Sequence, residues 1–199
     1  MPTAHSQIEQ VLKKRKKGDI LFPTDFRGIG SEGAIKMTLT RLNKEGVIQR
    51  LGHGIYLLPK TDPVFGNILP APEEVAAAIA KKEKIQIKPA GAYALHKLGL
   101  TTQVPTKLVY LTDGSSKDIK IGKTSIKFKA TTAKKLAMKG NYSSLIVQAL
   151  EEIGTQNVDY KTGQKIKNLL LKENQKQLHE DLQLSPAKIN DYLIKLIQG

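Results

Sequence analysis

The feature that most constrains this chain is a helical stretch, residues 31–45, that stops at a glycine and runs straight into two apolar segments separated by Gly52-His53-Gly54. Within it Ile35, Leu39 and Leu42 recur at i, i+4 and i+7, a stripe that buries one side of a helix, with Ala34 and Thr38 flanking it. Lys36, Met37, Thr40, Arg41 and Lys44 fall on the opposite side. Ser31 stands where an N-cap is wanted, and Gly46 where the chain must turn left-handed to leave the helix. Residues 47–51 and 55–58 then read as strands joined through the glycine-flanked turn and closed by Pro59. Upstream, Ile8, Val11 and Leu12 predict a first helix over 5–16, ended by Gly18-Asp19, and Pro23-Thr24-Asp25 opens a short second one. Helix, short helix, helix and β-hairpin in that order predict a winged helix-turn-helix over residues 1–60.

Residues 60–72 contain Pro63, Gly66, Pro70 and Pro72 and read as a linker or crossing loop. The spacing beyond it predicts a helix over 72–82, a strand over 85–88, a helix over 92–98, and strands over 104–111, 119–121 and 125–129. After Thr131 the pattern turns helical, over 133–138, 143–153, 162–172 and 174–182. A last helix begins at Ser185-Pro186, read as an N-cap with proline at the first helical position. The expected fold class is therefore α+β: a winged helix over 1–60, then an α+β domain over 61–199 that ends in a helical extension.

The 199 residues carry 32 Lys plus Arg against 18 Asp plus Glu, a net charge of +14, and no cysteine. Without cysteine there are no disulfides, thiolate metal sites or thiol nucleophiles. The charge excess suggests a polyanionic partner, and it is densest at the front, where residues 1–60 hold 11 basic groups against 5 acidic. The polar N-terminus lacks the apolar run of a secretory signal, and no window is apolar for the length of a membrane span. The expectation is a soluble cytoplasmic protein with no membrane partner.

A helix with a basic outer face, followed by a hairpin that carries Arg50 and His53, supplies what DNA reading needs: side chains for base edges and a basic loop for the flanking phosphates. Residues 28–33, Gly-Ile-Gly-Ser-Glu-Gly, match a dinucleotide fingerprint, but no strand precedes them and position 53 holds His where a ribose-binding acid is needed; a helix-to-helix turn is the better reading. The run Lys13–Lys17 is read as a solvated face, with backbone contact as the alternative. No two of His5, His53, His96 and His179 stand at the i+4 spacing of a helical zinc site, and His96 is expected as a satisfied core histidine. Ser115 and Ser116 lack a nucleophile-elbow setting, and the adjacent Glu151 and Glu152 point apart on a helix. No catalytic constellation, metal site or cofactor is predicted. The last two helices suggest a second helix-turn-helix, but their outer face is nearly neutral, which favours an αα-hairpin packed on the middle of the chain.

The stretch Leu39-Thr-Arg-Leu-Asn-Lys-Glu-Gly-Val-Ile-Gln-Arg-Leu-Gly-His-Gly-Ile-Tyr-Leu-Leu-Pro59 resembles the recognition-helix and wing signature of AbiEi-type antitoxins of type IV toxin/antitoxin systems. Ala92-Tyr-Ala-Leu-His-Lys-Leu-Gly-Leu-Thr-Thr-Gln-Val-Pro105 is similar to the start of that family's second domain. The resemblance spans roughly residues 6–130. It implies a DNA-binding domain that represses its own promoter, and a C-terminal region that counters a nucleotidyltransferase-type toxin. By position it implies DNA contacts at Ser31, Lys36, Thr40, Arg41 and Lys44 on the helix, with Arg50, His53 and Tyr56 on the wing. The alternative is a stand-alone regulator or an interaction module with no toxin partner.

Overall fold

The structure, a computed structural model, describes residues 3–198. The fold is α+β and ends in helices. It divides into two compact units: one runs to Ala78 and also takes in Ile119–Gly122, and the other is built from Ile79–Asp118 and the residues from Lys123 onward.

In the first unit, α1 (Ala4–Lys13) starts at Thr3, whose side chain accepts the Ser6 N–H. It ends at the head of the Lys13–Lys17 run, so most of that run lies beyond the helix. Strand β1 (Ile20–Leu21) leads into Pro23–Phe26, which is one 3-10 turn where a short second helix is expected. Helix α2 (Glu32–Lys44) follows, with the Ser31 hydroxyl accepting the Ala34 N–H at 3.2 Å. Strands β2 (Gln49–Gly52) and β3 (Ile55–Leu57) complete a three-stranded antiparallel sheet in the order β1-β3-β2, with Leu21 opposite Tyr56 and Arg50 opposite Tyr56 on the other side. The core is the one the helical spacing predicts: Ile8 and Leu12 of α1 meet Ile35, Leu39 and Leu42 of α2, with Leu21, Phe26, Ile48, Tyr56 and Leu58. Each of these large apolar side chains contributes roughly 1.5–3 kcal/mol by leaving water.

Residues 60–72 are not a plain linker. β4 (Lys60–Asp62) and β5 (Gly66–Ile68) form an antiparallel ribbon. Asp62 shapes its turn by accepting the Val64 and Phe65 N–H groups at 2.8 and 3.0 Å, and Gly66 follows at φ +71. That leaves Val64 and Phe65 exposed at the tip. Helix α3 (Pro72–Glu83) comes next and contains the boundary between the units.

Beyond α3 the chain builds a four-stranded sheet, β6 (Ile87–Ala90), β7 (Lys107–Thr112), β8 (Lys117–Ile121) and β9 (Thr124–Ala130), in the order β6-β7-β9-β8. β7 and β9 are parallel, with Tyr110 opposite Phe128. The short helix α4 (Gly91–Lys97) sets Tyr93 against Tyr110, ring centroids 5.3 Å apart, and Tyr110 in turn stacks on Phe128. After α5 (Ala133–Leu136), helices α6 (Ser143–Ile153), α7 (Tyr160–Leu170), α8 (Gln175–Leu184) and α9 (Ala187–Gln198) enclose a second core of Ile146, Val147, Leu150, Ile166, Leu170, Leu178, Ile189 and Leu193. The last two helices are thus a hairpin packed into a bundle. Ser185 does something other than the expected N-cap: its hydroxyl donates to the Leu182 carbonyl at 2.7 Å and closes the preceding helix.

Two buried carboxylates fix the entry to α6. Asp181 accepts the Lys139 and Gly140 N–H groups at 2.8 and 2.9 Å and the Ser143 hydroxyl at 2.6 Å. Glu173 accepts the Tyr142 and Ser143 N–H groups at 2.6 and 3.0 Å. Burial pushes the Glu173 carboxyl up, but the backbone donors of Tyr142, Ser143, Asn174 and Asn141 outweigh it and hold it below the usual range. Among the described residues no helix is long and apolar enough to cross a membrane.

Candidate nucleic-acid interface

α2 buries Ile35, Thr38, Leu39 and Leu42 and leaves Lys36, Met37, Thr40, Arg41 and Lys44 exposed. The division follows from the period: three apolar residues fix one side to the core, so the residues on the opposite side face out. Thr38 is buried with the stripe it was expected to flank. A groove of about 650 Å³ runs along the outer face, with Lys36, Met37, Thr40, Arg41 and Lys44 on one wall and Thr3, Ala4 and His5, from the start of α1, on the other. His5 has no sequence signature for this place, because its position depends on how α1 lies across α2. Its Nε2 is 3.7 Å from Glu9, and its Nδ1 is buried without a hydrogen-bond partner.

The exposed groups differ in how free they are. Lys36 is paired with Glu32 at 2.6 Å, and its ammonium, by hydrogen bond and charge, holds the Glu32 carboxyl below its ordinary range. The Thr40 hydroxyl donates to the Lys36 carbonyl at 2.9 Å, a back-bond into its own helix. Ser31 is exposed, with its hydroxyl engaged as the cap. Arg41 and Lys44 have no ion-pair partner among the described residues, which leaves them the two unengaged cations of this face.

The wing is tied directly to this helix. Asn43 of α2 accepts the Arg50 N–H at 2.7 Å, so β2 starts at a fixed distance from the helix end. The Arg50 side chain folds over the turn and donates from Nε to the Gly52 carbonyl at 3.2 Å. His53 is exposed at the tip, beside Gly54 at φ +67, a conformation that favours glycine. Tyr56 departs from the expected set. β3 is the central strand and all three of its residues are buried, so Tyr56, 6% exposed, packs into the core and supports the wing from behind. The structure therefore gathers Ser31, Lys36, Thr40, Arg41 and Lys44 on one helix, puts Arg50 and His53 on the wing, and takes Tyr56 off the surface.

The remaining motifs fall into structural places. Gly28–Gly33 leads from the 3-10 turn into α2, with Gly28 at φ +91 and that turn, not a strand, directly before it. His96 is half-buried, and its Nδ1 has no hydrogen-bond partner, unlike the satisfied histidine expected there. The Ser116 hydroxyl accepts the Ala130 N–H at 2.9 Å, and Glu151 pairs with Lys135 at 2.7 Å. In the second unit a cavity of about 730 Å³ lies beside Lys88, Lys139 and Asp113, and burial pushes the Lys88 ammonium down. Among the described residues no group of three or more His, Cys, Asp or Glu is placed to hold a metal.

The family of unknown function DUF6088 matches residues 7–178 of this sequence. The chain belongs to that family. Among solved structures, this DUF6088 protein is similar to the RV2827C protein from Mycobacterium tuberculosis, with a TM-score of 0.57 at 13% identity, over 100% of this chain and 77% of that one. At that identity the likeness speaks for the fold alone, and the fold it supports extends over both units of the DUF6088 protein. No curated protein matches the sequence.

Proposed function

We propose that this DUF6088 protein is a non-enzymatic, sequence-specific DNA-binding autoregulator, and that it acts as the AbiEi-like antitoxin of a toxin/antitoxin system. The observation that carries the reading is the outer face of α2, where Arg41 and Lys44 stand unengaged beside Lys36, Met37 and Thr40, next to a wing that presents Arg50 and His53. A helix of this kind enters the major groove, while the wing meets the flanking backbone. The partner is double-stranded DNA upstream of the protein's own gene. In this reading the second unit neutralises a nucleotidyltransferase-type toxin, a role supported by the resemblance of residues 92–105 and by no site in that unit.

The test is binding to that upstream duplex across a series of salt concentrations. Each phosphate contact contributes about 0.9 to the slope of log affinity against log salt. Replacing Arg41 and Lys44 together by Ala is therefore expected to weaken binding and to flatten the slope by about 2. An unchanged affinity and slope would remove α2 from the interface.

A further inference from the structure

The face that α2 presents is basic at its C-terminal end and apolar in the middle. Met37 is 74% exposed, the most exposed large apolar side chain of the helix. On the side toward the helix start, Gly33 carries no side chain, and nothing lies within 4 Å of where its Cβ would stand, so Met37 is not screened from that direction. Its polar neighbours are committed elsewhere: the Lys36 ammonium to Glu32, and the Thr40 hydroxyl to the Lys36 carbonyl. With its hydroxyl turned onto the backbone, Thr40 has its γ-methyl left for contact. The centre of the face therefore offers a flexible thioether and a methyl, with few polar atoms to spare for base edges.

An exposed apolar side chain gains free energy only when something apolar covers it. In the major groove the one apolar feature is the 5-methyl of thymine. Methionine suits a target whose position varies slightly, because it is unbranched and adapts its shape. We propose that Met37, seconded by the Thr40 methyl, is a specificity determinant that reads thymine 5-methyl groups, while Arg41 and Lys44 supply affinity to phosphate. This rests on the DNA-binding reading above and names what that surface recognises.

The experiment uses the full chain. A salt titration on a duplex selected from a randomised pool comes first; if no duplex is enriched and binding shows no salt dependence, the DNA-binding reading fails and this inference falls with it. On the selected duplex each thymine is then replaced in turn by uracil, which removes only the methyl. The expected result is a loss of roughly fourfold at one or two positions, the weight of one buried methyl group. Met37→Ala should lose the same factor on the thymine duplex and then bind the uracil duplex equally well, whereas Met37→Leu should keep the discrimination. Arg41→Ala should weaken binding to both duplexes alike and keep it too. Salt-dependent binding that is indifferent to uracil at every position, or a Met37→Ala chain that still discriminates, would overturn the inference while leaving the DNA-binding reading intact.

Discussion

Gly140 has no room for a side chain. A Cβ there would overlap the Ser143 hydroxyl and stand 2.7 and 2.8 Å from carboxylate oxygens of Glu173 and Asp181. Gly140→Ala is expected to cost about 3 kcal/mol in urea unfolding, because it overpacks a closed site and displaces charge-assisted hydrogen bonds at once. The same site sets a pH dependence. Glu173 titrates below its ordinary value of 4.5 in the folded chain, so its stabilisation is complete above that value and is lost as pH falls through the lowered one. Urea midpoints followed from neutral pH down through 4.5 should fall on the acid side, and Glu173→Gln should make that fall shallower; an identical acid limb in the variant would count against this assignment. None of this is legible in the sequence, where Gly140 and Ser143 lie 30 residues or more before Glu173 and Asp181 and no periodicity joins them. The outer face of α2 is legible, because Ile35, Leu39 and Leu42 fix which side is buried and Lys36, Met37, Thr40, Arg41 and Lys44 follow by geometry. Tyr56, given as a wing contact by the resemblance, is buried instead, because β3 is the central strand and all three of its residues are covered.

The ends of elements are legible where chemistry marks them. Gly46, at φ +75, closes α2 where a left-handed residue is required, and α6 occupies the residues its apolar spacing predicts. The ribbon at 60–68 is different: strands of three residues carry too little alternation to register, and Pro63 and Gly66 mark a turn as readily as a linker. Ser31 and Leu39 give α2 its start and its anchor. Ser31→Ala removes the acceptor for the Ala34 N–H and is expected to cost about 1 kcal/mol. Leu39→Ala opens a cavity at a fully buried position and is expected to cost roughly 2–5 kcal/mol. Calorimetry or urea unfolding measures both. If Ser31→Ala costs as much as Leu39→Ala, the serine does more than cap the helix.

At the scale of the whole molecule, the net charge of +14 is not one signal. Part of it sits on the α2 face and the wing, part on the exposed run Lys13–Lys17, and part is consumed in pairs such as Lys36–Glu32 and Lys135–Glu151. If DNA binding belongs to the first unit and toxin neutralisation to the second, the chain with Arg41 and Lys44 both replaced by Ala should no longer repress its promoter, yet still rescue growth beside a neighbouring nucleotidyltransferase gene. Loss of both activities together would argue against that division, and rescue failing in the unaltered chain would leave the stand-alone regulator as the reading. The first unit's use of Ile119–Gly122 bears on how the protein is made. A nascent chain that has passed Ala78 has not yet synthesised everything the unit will contain, so the N-terminal unit is finished only after much of the middle sheet has emerged, and a chain cut at Ala78 lacks a piece of it.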